Sequence, residues 1–120
     1  MLPMVRTRAT VLRGLVRTRA ERTAAAQPLL SDVRAKLSAA ARALRDRFGA
    51  RRVLLFGSYA HGAPSNRSDV DVAVEGVAAM DHFRAMAFLS EALHRSVDLI
   101  LIEDLSPEDR RRLLDQAEPV

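Results

Sequence analysis

The 120-residue chain has no cysteine and no tryptophan, and its aromatic side chains are one tyrosine and four phenylalanines. Without cysteine there is no disulfide scaffold, no thiolate zinc site and no cysteine nucleophile. The absence is compatible with a reducing compartment such as the cytoplasm. Five glycines and five prolines are too few for a low-complexity or collagen-like chain. No stretch approaches the roughly 18 consecutive apolar residues of a membrane span, so an integral membrane protein is not expected. The three histidines, His61, His82 and His94, do not form the His-x-x-x-His pair of a helical metal site. What is present is ordinary for one globular domain: 48% hydrophobic and 28% charged residues.

The net charge of +4 is unevenly placed. Residues 1–30 carry six arginines against Glu21 alone, a balance of +5, and the other 90 residues carry thirteen basic against fourteen acidic side chains, a balance of −1. The basic character therefore belongs to an N-terminal arm over residues 1–27. That arm reads as loosely helical or disordered, as a transit peptide, or as sequence upstream of the true start, with a dispensable arm or a misplaced start favoured. The domain proper is expected over 28–120. Its weakly acidic balance argues against nucleic acid as the partner.

From Pro28 the hydrophobic pattern sharpens. Ser31 is suited to cap a helix. Val33, Leu37, Ala40, Leu44 and Phe48 then recur at helical spacing, and Gly49 stops the run. Arg52-Val-Leu-Leu-Phe56 reads as a buried strand, and Asp69-Val-Asp-Val-Ala-Val74 as a second. Residues 78–94 carry a helical stripe of Phe83, Met86, Leu89 and Leu93, and 97–102 form a third strand. Ser106-Pro-Glu-Asp109 opens a last helix with a cap, a proline in the first turn and early acids. The order predicts an α/β (α+β) domain: a small mixed sheet with helices packed on it and a crossover helix between strands two and three.

The chemistry concentrates in Phe56-Gly-Ser-Tyr-Ala-His-Gly-Ala-Pro-Ser-Asn-Arg-Ser-Asp-Val-Asp71. A glycine directly after a buried strand lets a ligand approach the backbone. Ser58 adds a hydroxyl and N–H groups at a turn, a setting suited to phosphate. Asp69 and Asp71, two apart on a strand, present both carboxylates to one face. Such a pair repels itself unless a cation intervenes, and hard oxygen donors select Mg²⁺ or Mn²⁺ over zinc. Asp98, inside an otherwise apolar strand, is costly unless paired or bound to metal. If strands two and three are neighbours, Asp98 completes a three-carboxylate cluster able to hold two ions for in-line phosphoryl displacement.

Gly57-Ser58, ten residues, Asp69-x-Asp71 and a later strand aspartate at 98 resemble the polymerase-β nucleotidyltransferase superfamily. The likeness is greatest to its smallest members, the minimal nucleotidyltransferases paired with HEPN proteins in prokaryotes. It covers roughly residues 31–118, with Gly57, Ser58, Ala60, Gly62, Ser68, Asp69, Asp71 and Asp98 at marked positions. The family often carries arginine where this chain has Tyr59 and His61. The resemblance implies a palm-like sheet and transfer of AMP from ATP with pyrophosphate leaving. Asp69 and Asp71 would hold two Mg²⁺ ions. Asp98 would hold the second ion and help deprotonate the acceptor. Gly57, Ser58 and Ser68 would bind the nucleotide. The implied acceptor is a tyrosine of a HEPN ribonuclease toxin, which makes the chain an antitoxin. Neutralisation by binding alone, or transfer to a small-molecule or nucleic-acid acceptor, are the competing readings.

The remaining polar residues receive plainer readings. Tyr59 is ambiguous between packing and nucleotide contact, and Arg67 between phosphate and a carboxylate. His61 reads as a loop residue, and His82 and His94 as solvent-facing. Glu75 and Glu103 read as surface residues at strand ends, and Arg110-Arg-Arg112 as a solvated face. The palm-like unit accounts for nearly all of residues 31–118, so the acceptor is expected to bring its own surface.

Overall fold

The computed structural model describes residues 19–60 and 69–120, with only the backbone described over 19–27. Helix α1 spans Arg19–Phe48. Strand β1 (Arg52–Phe56) leads into a 3₁₀ turn at Gly57–Tyr59. Strand β2 is Val70–Glu75, and helix α2 (His82–Leu93) follows a 3₁₀ turn at Ala79–Asp81. Strand β3 (Val97–Leu101), helix α3 (Pro107–Gln116) and a two-residue strand β4 (Glu118–Pro119) complete the described chain.

The sheet order is β3-β2-β1-β4. Strand β1 pairs antiparallel with β2 and β4, and β2 pairs parallel with β3 across the α2 crossover. The mixed sheet with packed helices is the expected architecture. Alternation along each strand separates two faces. On the first, Val53, Leu55, Val70, Val72, Val74, Val97, Leu99 and Leu101 join Leu30, Val33, Leu37 and Leu44 of α1 and Ala85, Leu89 and Leu93 of α2 in one core. On the second, Leu54, Ala73, Ile102 and Leu113 form a smaller cluster beneath α3.

Three local expectations need correction. Helix α1 does not begin at Ser31; it runs through Pro28 from Arg19. The preceding Ala24-Ala-Ala-Gln27 consists of strong helix formers, and Ser31 becomes an interior exposed position. Phe83 is not part of the buried stripe of α2. It is 74% exposed, and Ala85 takes the buried position beside Leu89 and Leu93. Strand β4 has no sequence signature, because tertiary contacts make it. Val120 N–H donates to the Val53 carbonyl at 2.9 Å, the Arg45 guanidinium donates to the Val120 carbonyl at 2.8 Å, and Arg34 pairs with Glu118.

Other ends match the sequence. Gly49 takes φ +73°, and the Ala50 N–H reaches back to the Leu44 carbonyl at 3.1 Å. Ser106 Oγ accepts from the Asp109 N–H at 3.1 Å, the capping bond that starts α3. His94 closes α2 in the left-handed conformation.

The contrast within α2 is measurable. Leu89→Ala empties a fully buried position and is expected to cost about 2–5 kcal/mol of unfolding free energy. Phe83→Ala is expected to stay within about 0.5 kcal/mol. Urea melts of the two variants check this; an equal loss in both would contradict the assigned faces.

Candidate active site

The second sheet face is ordered in rows. Phe56, Asp71 and Asp98 are register partners across three strands. The next row is Leu54, Ala73 and Ile100, and the last pairs Arg52 with Glu75. Helix α3 covers the lower two rows: Leu113 packs with Leu54 and Ala73, and Arg110 donates to Glu75 at 2.6 Å. The carboxylate row lies at the end where β1 turns through Gly57.

Asp71 is half-buried, and Asp98 and Asp69 are exposed. Neighbouring parallel strands with Asp71 level with Asp98 put both side chains on one face. Burial pushes the Asp71 carboxyl above its ordinary value, and the charges of Asp98 and then Asp69 push it the same way. Both neighbouring acids therefore act on Asp71. Among the described residues no three His, Asp or Glu side chains are gathered into a ready metal-ligand set. The juxtaposition is that of mutually repelling carboxylates, and their hard oxygen donors fit a small divalent cation.

Gly57 is built into this row. Its φ is +73°, and a Cβ there would lie 2.2 Å from Asp71 Oδ2 and 3.3 Å from Asp71 Cβ. Any larger residue must displace the carboxylate or abandon the turn. Ser58 follows, half-buried, in the same 3₁₀ turn. Tyr59 is fully buried in the first-face core, and its hydroxyl has no partner among the described residues. Its role is packing. Ser68, with His61, Gly62 and Arg67, lies outside the described residues.

Several residues read as plain surface are structural. The Glu75 side chain is 14% exposed and bonds Arg110 and Arg52, so the first arginine of Arg110-Arg-Arg112 is an anchor for α3. Glu103 is exposed, as expected, and also accepts from the Gly76 N–H at 2.7 Å. His82 is half-buried, with Nε2 2.6 Å from the Leu99 carbonyl. Helical periodicity gave no hint of these partners, because each lies across the fold. His94 is exposed, as expected.

Comparison with known proteins agrees with this fold. The polymerase beta nucleotidyltransferase family model matches residues 40–120. The protein adenylyltransferase MntA of Thermococcus cleftensis is 34% identical over 79 residues, spanning 63% of this chain and 80% of that protein. A solved chain described as a minimal nucleotidyltransferase superimposes with a TM-score of 0.68 at 34% identity, covering 76% of this chain and 95% of that one. A chain of a toxin–antitoxin complex with AMP-PNP superimposes with a TM-score of 0.60 at 26% identity, covering 70% and 68% respectively.

The Asp71 environment makes a pH-dependent prediction. A carboxyl raised in the folded state penalises folding once it ionises, and the penalty vanishes as pH falls below the ordinary value of 3.8. Asp71→Asn is therefore expected to be more stable than wild type at neutral pH, with the advantage shrinking toward acid. Denaturant melts across pH check it; a variant less stable than wild type at neutral pH would contradict the repulsion.

Proposed function

The chain belongs to the polymerase-β nucleotidyltransferase family, and from that premise we propose that it transfers AMP from ATP to a tyrosine hydroxyl of a HEPN ribonuclease toxin, acting as the antitoxin in the cytoplasm. The observation that carries this reading is the Asp71–Asp98 row beside a glycine that has no room for a Cβ. Support comes from MntA, a protein adenylyltransferase, and from the likeness to a chain of a toxin–antitoxin complex with AMP-PNP, an ATP analogue.

The residues divide the work by position. The Gly57-Ser58 corner receives the triphosphate, since the bare backbone admits an oxygen where a side chain would stand. Ser58 offers its hydroxyl to a phosphate oxygen, and Ser68 serves the same nucleotide. Asp69, Asp71 and Asp98 would hold divalent ions, Mg²⁺ or Mn²⁺, which supply positive charge to the triphosphate and the leaving pyrophosphate. Asp98, exposed on the edge strand β3, accepts the proton of the incoming hydroxyl. The acceptor oxygen bonds to the α-phosphorus, the bond from that phosphorus to the pyrophosphate oxygen breaks, and the proton rests on Asp98. Asp71, whose carboxyl is raised by burial and then by the charges of Asp98 and Asp69, gains from a cation beside it.

Two variants test the assignment. With α-³²P-ATP and a co-expressed HEPN partner, wild type is expected to label the partner and the Asp69→Asn, Asp71→Asn double variant to lose labelling. Equal labelling would refute catalysis by this site. Growth rescue by the double variant would instead mark neutralisation by binding alone. Gly57→Ala is expected to lower labelling about 100-fold through displacement of the Asp71 carboxylate. Labelling by Gly57→Ala at the wild-type rate would contradict the close approach.

A further inference from the structure

Strand β3 opens on a hydroxyl that none of the roles above uses. The Val70 N–H donates to the Ser96 carbonyl at 3.0 Å, so Ser96 takes part in the parallel ladder. Continuing the register of Val70 with Val97 by one residue sets Ser96 level with Asp69. Alternation puts Ser96 on the face of Asp98: Val97 and Leu99 are buried in the first-face core, and Ser96 and Asp98 are exposed. The second face therefore has one further row beyond Asp71 and Asp98, with Asp69 following β2 backward and Ser96 following β3. We infer that Ser96 is a further catalytic residue, whose hydroxyl donates to the acceptor oxygen and turns its proton toward Asp98. The inference rests on the proposed transfer to a tyrosine hydroxyl and adds how that hydroxyl is oriented.

The two flanks of β2 separate the substrates. Gly57 and Ser58 follow β1 on one flank and receive the triphosphate. Asp98 lies on the other flank, on the edge strand β3, so the acceptor arrives over β3. The second-face side chains along β3 are Ser96, Asp98 and Ile100. Ile100 is half-buried and packs against the cluster of Leu54, Ala73 and Leu113 beneath α3. Ser96 and Asp98 are therefore the exposed polar pair on the acceptor's path. They stand two residues apart on extended chain, about 6.6 Å between Cα atoms. An oxygen lying between their side chains is within hydrogen-bond reach of both.

The backbone that carries Ser96 is fixed on both sides. His94 turns left-handed at φ 54°, the Arg95 N–H donates to the Ser90 carbonyl at 3.2 Å, and the Ser96 carbonyl is held by Val70. The side chain then has only its own rotor to set, so it is oriented at little entropic cost. The chemistry divides cleanly. A phenolic oxygen carries one proton and can accept as well as donate. Its proton passes to Asp98, one lone pair forms the bond to the α-phosphorus as pyrophosphate leaves, and another accepts from Ser96 Oγ–H. Ser96 keeps its proton throughout. A carboxylate at this position would accept only and would add a fourth negative charge beside Asp69. A neutral donor orients the acceptor without that repulsion.

The test uses Ser96→Ala in the whole chain, with purified HEPN partner as the probe. The position is exposed, and an unchanged urea midpoint verifies the fold. Ser96→Ala is expected to lower kcat/KM for the partner about five- to tenfold, as loss of one hydrogen bond does. Ser96→Thr, which keeps the hydroxyl, is expected to recover most of that loss. Mn²⁺ affinity and AMP-PNP binding are expected to be unchanged, a result that a general disturbance of the site would not give. A double-mutant cycle isolates the contact. Partner affinity is measured by calorimetry with AMPCPP, whose α–β methylene bridge blocks transfer, against partner with its labelled tyrosine intact or replaced by phenylalanine. Wild type is expected to prefer the intact partner, and Ser96→Ala to lose at least about threefold of that preference. An equal preference in both proteins overturns the inference. If wild type labels the partner and Ser96→Ala matches its kcat/KM, the role of Ser96 fails alone. A variant that loses Mn²⁺ affinity together with transfer assigns Ser96 to the ion site and also overturns the inference. A wild-type chain that labels no partner overturns the proposed activity and this role with it.

Discussion

Pairing of β1, β2 and β3 in a single register is the constraint on which the rest depends. It sets Asp71 level with Asp98, and Phe56 level with both. Two carboxylates on adjacent strands are unfavourable for folding. They are held there by the other sheet face, where Val70, Val72, Val74, Val97, Leu99 and Leu101 pack under α1 and α2. A slip of one residue would turn those valines and leucines to the open face, so core burial enforces the electrostatically costly arrangement. The site is thus built from packing energy spent on the opposite side of the same strands.

The open face shows how the cost is confined. Helix α3 closes the apolar row at Leu113 and the ion-pair row at Arg110–Glu75, and the carboxylate row lies beyond it. Glu75 sits two pairs along β2 from Asp71 on the same face, yet it is neutralised by Arg52 and Arg110. Asp71 has acids for company instead. One strand therefore carries an acid paired with two arginines at one end and an acid raised by burial and by other acids at the other, and the proposed function draws on the second end.

The sequence was most legible where a local rule governs. Gly49, Ser106 and Pro107 mark helix ends through their own backbone preferences, and β1 matches its apolar run residue for residue. The cost of a charge in an apolar strand marks Asp98, and the neighbouring of strands two and three, on which its place beside Asp71 depends, is what the structure adds. What could not be read depends on contacts distant in sequence. Strand β4 exists because Val53, Arg34 and Arg45 receive it. Phe83 fits the helical stripe by spacing, but the crossover turns that position outward. Glu75 and His82 look like surface residues until Arg110 and the Leu99 carbonyl arrive from 35 and 17 positions away.

The central claim, that Asp69, Asp71 and Asp98 act together on a divalent cation beside the Gly57 corner, is tested most directly by Mn²⁺ titration followed by electron paramagnetic resonance in the presence of AMP-PNP. Wild type is predicted to bind Mn²⁺, with affinity sharply reduced by Asp98→Asn and lost in Asp71→Asn. Mn²⁺ binding of equal strength in all three proteins would contradict the account.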